Sequence, residues 1–237
     1  MRKILYVSLI LMACSFTDSC NLDCKDGSGN VVSEKRAVEP FTSIEFNGCG
    51  NIFISRNHNP ELEIKADDNL LLYIETSVSG DKLKIDELKC FGKFQKLDYY
   101  ISIDKIEKLV LNGSGTIESK DTFRTDKTKI ILNGSGEVDI ILVSGEVISD
   151  LSGSGQIILS GKAGRHRIVL SGSGEFNLFG FITSETDIEL SGSGRCQVFA
   201  EDILRASLSG SGDVEYKGGP KKRNIETKGT GVIKEVQ

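Results

Sequence analysis

Serine side chains recur beside glycine at regular intervals, and they are the first groups in this sequence that could bind a ligand. LSGSG occurs at 151–155, 170–174, 190–194 and 208–212, and LNGSG occurs at 111–115 and 132–136. If these segments stack, their middle residues form a column of hydroxyl groups spaced by about 4.8 Å, the distance between neighbouring strands. The candidate ligand strip consists of Ser135, Ser154, Ser173, Ser193 and Ser211. Such a column could bind a repeating polymer, a glycan for example, through many weak hydrogen bonds.

The same residues also have a purely structural interpretation, which we favour for the pattern taken alone. Small residues are required wherever a chain bends tightly, and serine hydroxyls at such a bend are solvated or bonded to backbone. The strip also contains no base that could activate a serine as a nucleophile. The serines are therefore candidates for binding and not for catalysis.

Acid–base catalysis has few other candidate groups. The two histidines, His58 and His166, lie in RNHNP and AGRHRI, which we interpret as turns or strand edges. Carboxylates near one set of columns are Glu137, Asp139, Glu175 and Asp213. Two carboxylates two coils apart would be separated by about 9–10 Å, near the upper limit for an inverting glycosidase. We predict no enzyme, no catalytic residue and no cofactor, and keep a glycan-active enzyme as the alternative.

The six cysteines divide into one modification site and five others. Cys14 ends the segment Leu11–Met12–Ala13–Cys14, which resembles the bacterial lipobox and implies cleavage before Cys14 and lipid modification of its thiol. Export permits disulfides. The four that could pair in the N-terminal part are Cys20, Cys24, Cys49 and Cys90, and Cys196 has the parity of a core residue. CNLDC lacks a second half-site, so we predict no metal site.

The start of the chain has the composition of an export signal. Arg2 and Lys3 precede an apolar stretch that is too short to span a bilayer. We therefore predict a lipoprotein signal peptide at 1–13, a tether at 14–25 and a single β-helix domain at 26–237. The predicted location is the bacterial cell envelope, lipid-anchored at the outer membrane, with the periplasmic and the surface side both open.

The elements that must position the serines are short strands. Ile168, Leu170, Gly172, Gly174 and Phe176 share one parity, while polar residues share the other, and period-two alternation is typical of half-buried strands. The first glycines of successive triplets are mostly 18–21 residues apart, from Gly27 to Gly229, with one step of 65 between Gly48 and Gly113 that we interpret as about three periods. Units this short cannot bury their own apolar side chains and must stack. The prediction is an all-β, right-handed parallel β-helix with about 19–20 residues per coil and roughly ten coils.

The charge balance limits the partners. The formal net charge is −5, and −7 without Arg2 and Lys3, which argues against nucleic acid. The only basic cluster in one stretch of sequence is KGGPKKR at 217–223, which we interpret as a solvated loop.

Three stretches of the sequence resemble a known family. They are EKRAVEPFTSIEFNGCGNIFIS at 34–55, LEIKADDNLLLYIETSVSGDKLKI at 62–85 and ASLSGSGDVEYKGGPKKRNIETKGTGVI at 206–233. The chain resembles the putative auto-transporter adhesin head domain family, common in lipoproteins of Bacteroides-type bacteria. The resemblance implies a right-handed β-helix at or outside the cell envelope, and supplies no binding residues.

Together these observations favour a cell-envelope lipoprotein that acts as a non-enzymatic, adhesin-like binding or scaffolding module. Its expected partners are the membrane, through the N-terminal lipid, and a glycan or a surface protein. A glycan-active enzyme on the same fold and a purely structural spacer remain the alternatives.

Overall fold

The alternation of apolar and polar residues builds strands that coil around one apolar interior. The computed structural model describes residues 24–237, which form an all-β solenoid of about seven turns. The strands are β1 (Val31–Arg36), β2 (Ser43–Gly48), β3 (Asn51–Arg56), β4 (Glu61–Asp67), β5 (Ile74–Ser79), β6 (Lys82–Glu87), β7 (Leu97–Ile103), β8 (Lys108–Gly113), β9 (Thr116–Gly134), β10 (Glu137–Gly153), β11 (Gln156–Gly172), β12 (Glu175–Gly192), β13 (Arg195–Gly210), β14 (Asp213–Lys217), β15 (Lys222–Gly229) and β16 (Val232–Glu235). A short 3₁₀ turn, Leu71–Tyr73, precedes β5.

The coils from β9 onward are parallel and in register. Each long strand pairs with the one before and the one after, and Gly134, Gly153, Gly172, Gly192 and Gly210 stand directly above one another. The inward residues are buried, as the alternation predicts. The side chains of Ile168, Leu170, Phe176 and Cys196 are fully buried. The predicted strand periodicity and the core position of Cys196 are therefore confirmed.

Each coil turns a corner at its glycine triplet, and neither glycine admits a side chain there. Gly172 has φ +122°, a backbone conformation that glycine adopts without a steric penalty. A Cβ on Gly172 would lie 2.5 Å from the carbonyl oxygen of Gly153. A Cβ on Gly174 would lie 2.7 Å from the carbonyl oxygen of Gly155. Glycine recurs at these positions because the backbone of one coil packs directly on the backbone of the preceding coil.

The N-terminal region departs from the repeat and overturns two expectations. Gly48 and Gly113 pair directly, because β2 lies beside β8. The step of 65 therefore spans an insertion and not three coils, which is why about seven turns form where roughly ten were expected. The triplet at 27–29 also lies outside the glycine column: the Ser28 hydroxyl donates to Asp68 and the Gly29 N–H donates to Asp67.

The inserted strands close the N-terminal end of the solenoid. β6 and β7 lie in parallel beneath β2 and β3, although they follow them in the chain. Antiparallel β5 pairs with β6, and antiparallel β4 pairs with β7 and with β1. We call residues 24–107 the cap. The free strand edge that a parallel solenoid would otherwise leave is covered here by reversing the chain direction.

A disulfide joins the first described residue to a later segment of the cap. Cys24 and Cys90 are bonded across a sequence separation of 66 residues. Lys25 forms a bridge with Phe91, so residues 24 and 25 contact the folded domain. The predicted signal peptide, Cys14 and Cys20 lie outside the described residues.

Candidate functional site

The structure places the five serines of the candidate strip at the glycine corner, one per coil. Ser135, Ser154, Ser173, Ser193 and Ser211 are all exposed. Each backbone N–H donates to the glycine carbonyl of the preceding coil, as Ser173 does to Gly153 at 2.9 Å. The Ser211 hydroxyl accepts a hydrogen bond from Thr230 at 3.1 Å. Within residues 24–237, the other four hydroxyls bond to no protein group and face solvent.

A second polar column lies beside the strip and bonds to itself. The Asn133 amide donates to Asn112 at 2.8 Å, and Asn112 donates to Asn47 at 2.6 Å. Asn47 in turn donates to Asp86 in the cap at 2.6 Å. This ladder stabilises the lower part of the corner. Above it the same column continues with exposed serines, Ser152, Ser171, Ser191 and Ser209, which lie beside the strip.

Glu87 completes the glycine corner at its lower end. The N–H groups of Cys49 and Gly50 donate to the two Glu87 carboxylate oxygens, at 2.8 and 3.1 Å. In the coil above, the equivalent N–H groups of Ser114 and Gly115 donate to the Gly48 carbonyl. The carboxylate thus replaces the glycine carbonyl of a coil that does not exist. No sequence signal pointed to Glu87, since it lies 37 residues beyond Gly50.

The environment of Glu87 also holds two neighbouring groups in their neutral forms. The Tyr99 hydroxyl donates to Glu87 at 2.9 Å. Burial, reinforced by the nearby carboxylate, raises the pKa of Tyr99 well above its usual range. The same causes raise the pKa of the free Cys49 thiol to about 12. Cys49 is therefore a poor nucleophile at neutral pH.

The carboxylates considered for glycan cleavage lie on the outer wall and do not converge. Glu137, Gln156, Glu175, Arg195 and Asp213 follow one another in a single column, so an amide separates the two glutamates. Asp139 pairs in register with Glu118. Burial and the Glu118 charge raise the pKa of Asp139.

The structure corrects the placement of His166. It lies inside β11, fully buried, where its Nε2 is 2.9 Å from the Ser149 hydroxyl and its ring meets Phe181 edge-on. Burial lowers the pKa of His166 to about 3. The segment AGRHRI was expected to be a turn or strand edge, but it lies within β11, where strand alternation directs Arg165 and Arg167 outward and His166 inward. His58 is exposed and lies 3.1 Å from Asp104.

The basic stretch 217–223 is largely engaged in structural contacts. Lys217 lies over the Phe179 ring, Lys221 pairs with Asp202, and Arg223 pairs with Glu235. In the described part of the chain, no group of three or more His, Cys, Asp and Glu side chains could hold a metal ion. Residues 24–237 also contain no helix that is long and apolar enough to cross a membrane.

The fold and the exposed column define the class of this protein, a parallel β-solenoid whose glycine corner faces solvent. The chain belongs to the family described as "Putative auto-transporter adhesin, head GIN domain", whose model matches residues 40–220. The resemblance inferred from the sequence motifs is thereby confirmed. A comparison with curated proteins found no match.

Three solved structures share this fold. A putative adhesin from Bacteroides fragilis has a TM-score of 0.85 and 24% identity, covering 90% of this chain and 100% of that one. A putative adhesin from Parabacteroides distasonis has a TM-score of 0.73 and 22% identity, covering 89% and 99%. A putative lipid binding protein from the same species has a TM-score of 0.72 and 22% identity, covering 90% and 99%. At these identities the likeness is one of fold.

Proposed function

We propose that this protein is a lipid-anchored, non-enzymatic binding module of the bacterial cell envelope and that its serine column contacts the ligand. The observation that carries the proposal is the exposure of successive, identically placed hydroxyls at the glycine corner. Membership of a family named for adhesins supports a binding role. The names of the structural neighbours, two adhesins and one lipid binding protein, are in keeping with it.

The corner is suited to an extended ligand because its backbone is held rigidly. The N–H of Ser154 bonds to Gly134 at 3.0 Å and that of Ser193 bonds to Gly172 at 2.9 Å, so each hydroxyl is presented from a fixed position. Rigid presentation lowers the entropy cost of binding. Each hydroxyl offers one donor and two acceptor sites, so a row of them matches a polymer with repeated hydroxyls. A glycan is the ligand class that we favour, with a surface protein as the second possibility.

Substitution along the column tests this role. Affinity for a panel of extended glycans should fall stepwise as Ser154, Ser173 and Ser193 are changed one after another to lysine, because each change removes one contact from a multivalent set. Ser184→Lys is the control, since Ser184 lies within β12 and away from the glycine corner that carries Ser173. Equal losses from Ser184→Lys and Ser173→Lys would contradict the assignment of the strip.

The anchor has its own test. Cys14→Ser should release the protein from the membrane fraction and abolish its labelling with radioactive palmitate, because the thiol that carries the lipid is gone. Unchanged sedimentation of that variant with membranes would overturn the lipoprotein proposal.

Two other outcomes would redirect the functional assignment. A glycan array without hits would favour a spacer that holds other parts of the envelope apart. Turnover of a polysaccharide that is lost in Glu137→Gln or Glu175→Gln would show an enzyme. We favour the non-enzymatic role because the two glutamates lie on the outer wall with Gln156 between them.

A further inference from the structure

The charged side chains of a groove on another side of the solenoid are mostly cations, in a protein whose net charge is negative. Its volume is about 830 Å³. Its charged lining consists of Lys105, Glu107, Lys108, Arg124, Asp126, Lys127 and Lys129. These residues give an excess of three positive charges, which falls to one when Glu146 and Asp150, the ion-pair partners of Lys127 and Lys129, are included. The formal net charge of the whole chain is −5. The groove therefore reverses the sign of the overall charge locally.

Part of this positive charge has no partner in the protein. Lys127 pairs with Glu146 at 2.9 Å and Lys129 pairs with Asp150 at 3.0 Å. Lys105 pairs with Glu107. Lys108 and Arg124 form no ion pair with any residue between 24 and 237, and neither does Asp126, so two cations and one carboxylate of the lining are unpaired. These two cations are available to an incoming anion.

The groove exists because one side of the solenoid lacks a strand. β9 pairs with β3 through residues 116–118 and with β8 through residues 129–134. Between them, residues 122–127 pair with β10 on one edge only. In the coil below, this side is crossed by the short connection 104–107. The connection meets β9 only at its last residue, where the Lys129 N–H donates to the Glu107 carbonyl at 2.8 Å. No other strand of the described chain lies along the remaining edge of 122–127.

An unpaired edge beside a cationic lining is the arrangement that recognises an extended acidic peptide. A strand edge offers backbone N–H and C=O groups to an added strand, and alternate side chains of that strand then meet the surrounding surface. Here that surface carries Lys108 and Arg124. A polysaccharide could satisfy the charges but would not reproduce the alternating backbone pairing of a strand.

We propose that the edge of β9 at residues 122–127 binds an extended acidic segment of a partner protein by β-strand addition, with Lys108 and Arg124 contacting its carboxylates. This surface is separate from the serine column, which lies at the glycine corner. The protein would thus contact an envelope or surface protein at one side and the ligand of the serine column at another.

The probe is a synthetic peptide of about eight residues in which glutamate alternates with threonine. It should bind and should slow hydrogen exchange of alternate backbone amides in 122–127, because those that point away from β10 would gain partners. A peptide of the same sequence with alternate amides methylated should bind much more weakly and give no such protection. These measurements use the wild-type chain, so they do not depend on the folding of a variant.

Charge reversal is the second arm. Lys108→Glu with Arg124→Glu should weaken peptide binding by about tenfold or more, since two attractive contacts become repulsive. Lys222→Glu with Lys228→Glu on β15 is the matched control, because it changes the net charge equally and both lysines are exposed at the far end. Ser173→Lys should leave peptide binding unchanged, which separates this proposal from the role of the serine column.

Three results would overturn the proposal. One is equal binding of the methylated and unmethylated peptides, which would show charge attraction alone. Another is an equal loss of affinity in both double variants. The third is binding of polygalacturonate, an acidic glycan, that depends on Lys108 and Arg124 while the peptide does not bind.

Discussion

The cap and the coils complete the same glycine corner in two ways. In the coils, residues 108–237, the N–H groups of each triplet donate to a glycine carbonyl one coil below, as Ser135 and Gly136 do to Gly113 at 3.1 and 3.2 Å. In the cap, the N–H groups of Cys49 and Gly50 donate to the Glu87 side chain. Backbone packs on backbone in the coils, and backbone meets a side chain in the cap.

This difference shows what the repeated glycines are for. A Cβ on Gly172 would meet a backbone oxygen that is fixed by the coil below, whereas a Cβ on Gly48 would lie 2.3 Å from the Glu87 carboxyl carbon. The Glu87 side chain can move, and Gly48 does not adopt a positive φ. Within the coils, the fixed backbone of the coil below therefore requires glycine. At the end layer, the movable Glu87 side chain takes the place of that backbone.

The largest expected effect comes from glycine in the coils. Gly172→Ala should lower the free energy of unfolding by about 4 kcal/mol or prevent folding, because it combines a backbone clash with φ +122°. Gly48→Ala should cost about half as much, on the order of 2 kcal/mol, through displacement of Glu87. Ser173→Ala should cost less than about 0.5 kcal/mol. Denaturant unfolding of the three variants measures these free energies. Equal losses of stability at Gly172 and Gly48 would contradict the difference that we infer between coils and cap.

The disulfide should matter to the cap more than to the coils. Cys24→Ser with Cys90→Ser should lower the stability of the cap by about 3 kcal/mol, because it frees a loop of 66 residues in the unfolded state. Since repeat units contact mainly their neighbours, hydrogen exchange should accelerate in β1–β7 before it does in β11–β13. Uniform acceleration along the chain would show that cap and coils unfold as one unit.

Glu87 provides a smaller and more local test. Glu87→Gln should cost about 2 kcal/mol, because the amide cannot accept from Cys49, Gly50 and Tyr99 as the carboxylate does. Glu75→Gln is the control, since Glu75 is exposed in the neighbouring strand β5. Thermal unfolding compares the pair, and a Glu87→Gln protein as stable as the control would remove the carboxylate from our account of the corner.

The last expected effect is a pH dependence from the coils, which is small near neutral pH and grows as the solution is acidified. The lowered pKa of His166, about 3, keeps it neutral in the folded state, while the unfolded chain binds a proton near its usual value of 6.5. The unfolded state therefore gains protons as pH falls, and stability should drop by about 2 kcal/mol between pH 7.5 and pH 5. Further loss should follow down to the folded pKa.

A substitution isolates the contribution of His166 to this pH dependence of stability. His166→Val, which copies Val147 at the equivalent position one coil below, should remove that slope, because no group titrates there. His58→Gln is the control that should retain the slope, since it leaves His166 in place. Urea unfolding at several pH values provides the measurement. A slope that persists in His166→Val would assign the pH dependence to other groups.

Much of the coil architecture follows from the sequence because its determinants are local. Alternation within a strand identified the inward side of β11, and the glycine spacing identified the corner that exposes Ser173. The interpretation of AGRHRI as a turn or strand edge was wrong, because the alternation within β11 directs His166 into the core. Extending the period across the step of 65 was also wrong, since a step can match a multiple of the period without containing coils.

The sequence by itself determined the repeat: its period, its strands, its glycine corner and the exposure of the serine column. The spacing of residues along the chain is enough to predict these features, because each coil packs against a coil of nearly the same sequence. The partner of each residue therefore lies one period away. Tertiary structure alone decided the cap, the Cys24–Cys90 bond, the placement of Glu87 and the cationic groove. Their partners come from unrelated segments, such as 105–108 and 124–129, and only folding brings those charges and that free strand edge together.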